Sequence, residues 1–345
     1  VIAAPYLLYL GDCRDPLSIK TARGVAQWRP DACIGERRLS ARAESLGLAP
    51  MSYAEAVAQG ARTVLIGVAN RGGVMTDQDR SEMLEALEAG LDVASGLHQR
   101  LRDQPALVEA ARRNGRTLHD VRAAPDGLQV GDGVRRAGFR VLTVGTDCSV
   151  GKMYTSLAID RELRLRGLRS DFRATGQTGI MIAGSGVPVD NVISDFVSGS
   201  VEALSPARHD GGIDVIEGQG SLFHPSYAAV SLGLLHGAQP DVLVLCHEAE
   251  RAHMRGLPGR PVPGLAETLE RNLEAARVTN PDVSAAGVSI NTSRLSEIDA
   301  RRVCRAVEDD LGLPVEDSWR TGVSRITDRI VQCLQDLQPM ASAGR

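Results

Sequence analysis

The stretch RVLTVGTDCSVGKMYT, from Arg140 to Thr155, decides how this chain is read. Val141, Leu142 and Val144 make an apolar strand, Gly145 and Gly151 bound a short loop, and Lys152 opens a helix that continues to residue 165. A strand running into a glycine-bounded loop, with Gly-Lys at the start of a helix, is the context a phosphate-binding loop requires. Successive backbone N–H groups at such a helix start line a concave nest for phosphate oxygens. Glycine at 145 and 151 permits backbone angles and a closeness of approach that a Cβ would block. Lys152 reaches back over the loop as a point charge. The candidate phosphate-binding set is therefore Gly145, Thr146, Asp147, Cys148, Ser149, Val150, Gly151, Lys152, Met153 and Tyr154.

The loop departs from the strict GxxxxGK[ST] form, because Gly145 and Gly151 stand one residue further apart. It is closer to the GTDxxVGKT loop of dethiobiotin synthetase, which also carries Thr-Asp after its first glycine. After Lys152 comes Met153, where a magnesium-dependent NTPase has the Ser or Thr whose hydroxyl holds the metal. A thioether is a poor ligand for this hard, oxygen-selecting ion. Thr155, two positions on, points from another face of the helix. The reading is a phosphate or pyrophosphate grip without the magnesium hydroxyl.

Outward from this loop, short apolar runs alternate with amphipathic helical stretches along the whole chain. That alternation implies an α/β fold with a mainly parallel sheet. Strands are expected at 5–10, 63–68, 91–94, 139–144, 170–173, 213–216, 241–246 and 283–290. Helices are expected at 53–58 behind a Ser52/Glu55 capping box, from Thr76 to Gly90, and at 105–113, 152–165, 227–235, 265–277, 297–311 and 323–337. The Gly-, Asp-, Pro- and Arg-rich stretch 123–138 marks a domain boundary, giving domains 1–130 and 131–345.

Composition narrows the function. The chain has 345 residues, enough for about two domains with their own cores. A hydrophobic fraction of 43% excludes a disordered chain. A net charge of −4 with 11 aromatics argues against a nucleic-acid partner, which would select a basic face or stacking rings. The six cysteines lack CxxC spacing, so neither a disulfide framework nor a zinc site is expected; no metal is assigned, and reduced thiols of a cytoplasmic enzyme are the expectation. No apolar run approaches the roughly 18 residues of a membrane span, and residues 1–10 read as a buried strand rather than a signal peptide. Of the 39 basic residues only Lys20 and Lys152 are lysines, so each deserves separate scrutiny.

Downstream candidates cluster at predicted strand ends, where α/β ligand sites form. Glu217 ends the strand 213–216 and is followed by Gly218, Gln219, Gly220 and Ser221. Glu217 is a candidate catalytic acid or base, with His209 and Asp210 before the strand and His224 after it. An unperturbed imidazole titrates near neutrality, which suits either histidine to proton transfer. His247, after the strand 241–246, is another candidate wall of the site. Thr175 and Gln177 lie in a small, hydroxyl-bearing loop suited to crossing a ligand, and Gln219 and Ser221 complete this group of substrate-binding candidates. In the first domain, Lys20 and Thr21, with Asn70 and Arg71 after a predicted strand, are candidates to clamp a small carboxylate.

The set GTDCSVGKM (145–153), TGQTG (175–179), HDGGIDVIEGQGS (209–221) and HPSY (224–227) resembles one family, long catalogued only as a domain of unknown function. Its understood members are D-glutamate N-acetyltransferases of the DgcN type. The stretches KTA (20–22), NRGG (70–73) and GLH (96–98) are similar to that family too, so the resemblance covers nearly the whole chain. It implies a Rossmann-like N-terminal domain and a C-terminal P-loop NTPase-like domain. It also implies transfer of acetyl from acetyl-CoA to the amine of D-glutamate, with a small amino-acid substrate and a homo-oligomeric assembly. Met153 belongs to the family motif, and CoA supplies the pyrophosphate and 3′-phosphate such a loop would hold. In this reading the backbone N–H groups of the 218–221 turn are the oxyanion donors. Two rivals are kept: an ATP- and magnesium-dependent carboxylase or ligase resembling dethiobiotin synthetase, and a non-enzymatic nucleotide switch.

Overall fold

The computed structural model describes residues 1–68 and 73–337. The chain forms two compact units, Val1–Pro125 with Gly176–Asn191, and Asp126–Thr175 with the chain from Val192 onward. In the first unit the elements run β1 (Tyr6–Gly11), α1 (Lys20–Trp28), β2 (Cys33–Arg38), α2 (Tyr53–Ala58), β3 (Thr63–Ile66), α3 (Asp77–Glu88), β4 (Asp92–Ser95), α4 (Pro105–Asn114) and β5 (Leu118–Asp120). The sheet order is β2-β1-β3-β4-β5, and every pairing is parallel. Leu7, Tyr9, Val64, Ile66 and Val93 pack against Met83, Leu87 and Leu107 of the helices. The Ser52/Glu55 capping box opens α2 as expected, and Thr76 with Asp79 makes a second one at α3.

The second unit runs β6 (Phe139–Gly145), α5 (Lys152–Leu165), β7 (Ser170–Arg173), then α7 (Val197–Leu204), β8 (Ile213–Ile216), α8 (Ala228–Ala238), β9 (Val242–Glu248), α9 (Leu265–Ala276), β10 (Ser284–Asn291), α10 (Glu297–Leu311), β11 (Val315–Glu316) and α11 (Ser324–Leu337). Its sheet, ordered β11-β10-β9-β6-β8-β7, is likewise parallel throughout. β6 lies inside it with all seven residues buried. Parallel strands sheathed on both faces read as near-continuous apolar runs, which is why β9 and, despite Arg140, Thr143 and Asp214, β6 and β8 were legible. Among the described residues, no helix is long and apolar enough to cross a membrane.

The helix omitted from that order, α6 (Gln177–Ala183), belongs to the first unit, although its sequence lies inside the second. Ile180, Met181 and Ile182 are buried there, Arg29 Nη1 donates to Ile182 O at 2.9 Å, and Ile2 N donates to Gly184 O at 2.9 Å. Arg122 also pairs with Asp190. The sequence reading treated TGQTG as a ligand-crossing loop and placed 176–191 in the second domain. The structure makes Gly176 the N-cap of α6 and builds the segment into the first unit.

Candidate functional site

The carboxyl end of β6 opens directly into the loop 145–152. The register Gly145↔Cys246 sets the start of the loop beside the end of β9, and Leu142↔Ile216 brings Glu217 alongside from β8. Thr146 N donates to Cys246 O at 3.1 Å, and its carbonyl accepts from Ser221 Oγ at 3.1 Å. Ser149 (φ 56°) and Gly151 (φ 105°) take left-handed backbone conformations that turn successive N–H groups inward ahead of α5. Gly145 serves close approach rather than a special angle: a Cβ there would lie 2.9 Å from Val150 Cγ2 and 3.1 Å from Lys152 Nζ.

Lys152 folds back onto the loop, donating from Nζ to Asp147 O at 2.8 Å, and is only 6% exposed. Burial pushes its pKa below 10.5; Cys246, Cys148, Asp147 and Glu217 pull it partly back. A buried ammonium bonded to a neutral carbonyl gains most from an added anion, so the nest and the lysine suit phosphate together. Thr155, considered as a substitute for the missing magnesium hydroxyl, is fully buried and donates to Ser289 Oγ at 2.9 Å, on the β10 side of α5. It is committed to the core rather than to the loop.

Asp147 is a clamp. It is buried, with Oδ1 accepting from Cys148 N at 2.6 Å and Oδ2 accepting from Arg251 Nη1 at 2.9 Å and Arg255 N at 2.7 Å. Arg251 also donates to Cys148 O at 2.6 Å and Ser149 O at 3.3 Å, and pairs with Glu248; Arg255 bonds Ser149 Oγ. Sequence reasoning passed over both arginines. Arg supplies 37 of the 39 basic residues, so the only available signal was their spacing four apart after the β9 strand.

On the β8 side, Glu217 is 4% exposed. Its Oε2 accepts from Thr175 N at 2.9 Å and its carbonyl from Thr175 Oγ1 at 2.6 Å. Gln219 Nε2 donates to the same hydroxyl at 3.2 Å. Thr175, Glu217 and Gln219 thus form one connected turn network, while Ser221 is tied separately to the loop through Thr146 O. Gly218 N donates to Thr143 Oγ1 at 3.0 Å, which removes that N–H from the expected oxyanion donors.

The four catalytic candidates separate. His209 and Asp210 are exposed and precede β8, whose first residue pairs with Phe139 at the start of β6. They therefore lie at the sheet edge opposite the phosphate loop. Asp210 is held there by Arg208, with contacts of 3.0 and 2.8 Å that keep its carboxyl well below the usual range. His224 is buried beside the loop, but Nε2 meets Arg255 O at 3.2 Å and Nδ1 accepts from Ser226 N at 3.2 Å. With both ring nitrogens engaged it fixes the 221–227 turn and has no lone pair to take a proton. Asp147, Cys148 and His224 bring possible metal-ligand atoms within 4.8 Å of one another. Their oxygens and ring nitrogens are spent on these hydrogen bonds, and the Arg251 guanidinium sits on Asp147, so the donor set does not favour a cation.

His247 differs from His224 in having only one ring nitrogen engaged. Nδ1 lies 3.0 Å from Thr146 Oγ1, and Nε2 has no hydrogen-bond partner among the described residues. The ring borders a cavity of about 270 Å³ that Glu250, Ile290, Leu295 and Arg302 also line. Burial, reinforced by Arg251 and opposed by Glu248, lowers its pKa below 6.5, so the imidazole is neutral at pH 7. Glu250 holds φ at 61°, a conformation a non-glycine residue adopts at some cost. An open groove of about 680 Å³, lined by Phe223, Pro225, Met254 and Leu257 among others, lies next to Arg255 in sequence.

Of the first-unit candidates, Lys20 and Thr21 lie on α1 and Gln177 opens α6. Lys20, exposed, begins α1, and Thr21 Oγ1 lies 3.5 Å from Thr178 Oγ1. Gly96 lies against Gln177: a Cβ there would sit 2.4 Å from Gln177 Oε1. Asn70 and Arg71 lie outside the described residues.

A parallel α/β protein of two units, one built around a phosphate loop that lacks the magnesium hydroxyl, is the class these features define. Residues 129–327 match the family described as DUF1611, C-terminal P-loop domain, and residues 41–124 match its Rossmann-like N-terminal domain. The chain belongs to the DUF1611 family. It is 51% identical over 330 residues to a D-glutamate N-acetyltransferase of Tritonibacter scottomollicae, covering 96% of this chain and 99% of that one. A D-glutamate N-acetyltransferase of a Pseudoalteromonas species is 46% identical over 325 residues, with 94% and 98% covered. The crystal structure of a DUF1611 family protein from Anabaena variabilis superposes with a TM-score of 0.84 at 32% identity, over 96% of this chain and all of that one.

Proposed function

We infer that this chain is an N-acetyltransferase acting on the amine of D-glutamate, with acetyl-CoA as donor. The observation that carries the reading is full-length identity of 51% and 46% to enzymes of that name, on a chain whose phosphate loop is intact. Thioester transfer requires no metal, which accords with Met153 at the position of the magnesium hydroxyl. A magnesium-ATP ligase would need that hydroxyl, and Thr155 is turned into the core.

The loop and Lys152 hold donor phosphates, with Arg251 and Arg255 within reach of the same loop. His247 Nε2 takes a proton from the substrate ammonium, freeing the nitrogen lone pair. The amine attacks the thioester carbonyl carbon, the tetrahedral oxyanion collapses, and the C–S bond breaks. The thiolate leaves and receives the proton from the imidazolium, and the attacking nitrogen sheds its second proton to water as the amide forms. Glu217, tied to Thr175, keeps the β8 turn in register with the loop.

Three outcomes test this reading. With D-glutamate present, acetyl-CoA should yield acetylated product, whereas acetate with magnesium-ATP should not. Equal turnover with and without EDTA is expected, and loss of activity in EDTA would favour the ligase. Lys152→Ala should raise KM for acetyl-CoA by roughly ten- to a hundredfold, the worth of one charge-assisted hydrogen bond. Steady-state kinetics with an unchanged donor KM would remove Lys152 from the phosphate grip.

A further inference from the structure

Trp319 is 64% exposed, yet its position is fixed by buried groups. Asp317, 3% exposed, accepts through Oδ1 from Trp319 N at 2.8 Å and from Arg320 N at 3.1 Å, and through Oδ2 from Thr292 N at 2.9 Å. Arg320 Nη2 ties the same turn to Thr292 O at 3.1 Å and Leu295 O at 2.7 Å. The turn is therefore built on a buried carboxylate while its indole stands in solvent.

The indole does not stand alone. Its ring meets Tyr154 edge to face, with centroids 6.1 Å apart and planes at 88°. Tyr154 lies two residues after Lys152, in the first turn of α5, whose start the phosphate loop feeds. An edge-to-face pair braces both rings and leaves an indole face open for stacking. A rigid, open indole beside a phosphate nest matches a ligand that carries an aromatic base close to its phosphates. Every nucleobase has a π-face that an aromatic side chain can take.

We propose that Trp319, braced by Tyr154, is the stacking platform for the adenine base of the acyl donor. This rests on acetyl-CoA as donor and adds a site for its nucleotide end. The chain contains two tryptophans, Trp28 and Trp319, so a Trp28→Phe background isolates the emission of Trp319. In that full-length protein, CoA and adenosine 3′,5′-bisphosphate should quench emission saturably, while inorganic pyrophosphate, which fills a phosphate nest without a base, should not. Trp319→Ala should weaken CoA binding by about five- to a hundredfold, the range for a lost base–aromatic stack, with kcat at saturating donor unchanged. Trp319→Phe should recover most of the affinity, which separates stacking from a disturbed turn.

If CoA binds and the wild type acetylates D-glutamate but emission does not respond, the platform is overturned and the donor reading stands. If neither CoA binding nor acetyl-CoA turnover occurs in the wild type, the donor reading fails and takes the platform with it. A change of molecular size in Trp319→Ala, with CoA affinity intact, would give this face to a second copy of the chain and overturn the proposal.

Discussion

His247→Gln is expected to lower kcat by about a hundred- to ten-thousandfold, the usual worth of a positioned general base, while KM for acetyl-CoA stays near its wild-type value. Nδ1 is anchored 3.0 Å from Thr146 Oγ1 inside the phosphate loop, so the ring is oriented by the element assigned to the donor. Nε2 has no partner among the described residues, and His247 lines the cavity of about 270 Å³. Burial lowers the imidazole pKa from 6.5, with Arg251 acting in the same direction. A base works in its deprotonated form, so activity should be full above the lowered pKa and fall as pH drops through it. The acid limb of the kcat profile is thus expected below pH 6.5, and His247→Gln should lose that limb as well as the rate. A variant with wild-type kcat and an unchanged acid limb would return the role to another group.

Gly218→Ala should damage both stability and donor binding. A Cβ at this position would lie 1.7 Å from Thr143 O and 3.0 Å from Lys152 Cδ. The first contact is with backbone in the central strand β6, so no side-chain rotation relieves it. Either the β8 turn or the end of β6 must shift, and the Gly218 N to Thr143 Oγ1 bond at 3.0 Å is strained or lost. Overpacking of this kind typically costs about 1–3 kcal/mol, and a backbone collision belongs at the upper end. Thermal unfolding should show a clearly lowered Tm. Donor KM should rise as well, because Lys152 packs against the same spot. A variant that melts and binds as the wild type does would mean that the turn can relax without cost.

The phosphate loop was legible because its determinants are local: an apolar strand, two glycines, a lysine and a helix in one run. The parallel sheets followed from short, mostly apolar strands: β9 opens with the apolar run VLVLC, while β6 (FRVLTVG) and β8 (IDVI) carry isolated buried polar residues within them. β2 was not legible, because its sequence CIGERR carries a buried glutamate. Glu36 is 0% exposed and is satisfied by Ser45 Oγ at 2.7 Å, Leu46 N at 2.8 Å and Arg38 at 2.8 Å, partners that single-strand patterning does not reveal. β11 has only two residues, too few for any period.

The spread of the catalytic candidates was hidden for a related reason. His209 and Asp210 lie close to Glu217 in sequence, yet β8 runs between them. Four residues at about 3.3 Å each separate the two ends by roughly 13 Å. Arg251 and Arg255 were hidden in an arginine-rich background. His247 reads from the sequence only as a wall, because which of its ring nitrogens is tied is a tertiary fact. The placement of residues 176–191 in the first unit depends on tertiary burial of Ile180, Met181 and Ile182, which an apolar helix does not announce.

The most direct test is a mass-resolved assay of the full chain with acetyl-CoA and a panel of D- and L-amino acids, run in EDTA and again with magnesium. N-acetyl-D-glutamate and free CoA, formed at the same rate in both conditions, are the predicted result. No acetylated product from any amino acid, together with turnover of magnesium-ATP, would contradict it.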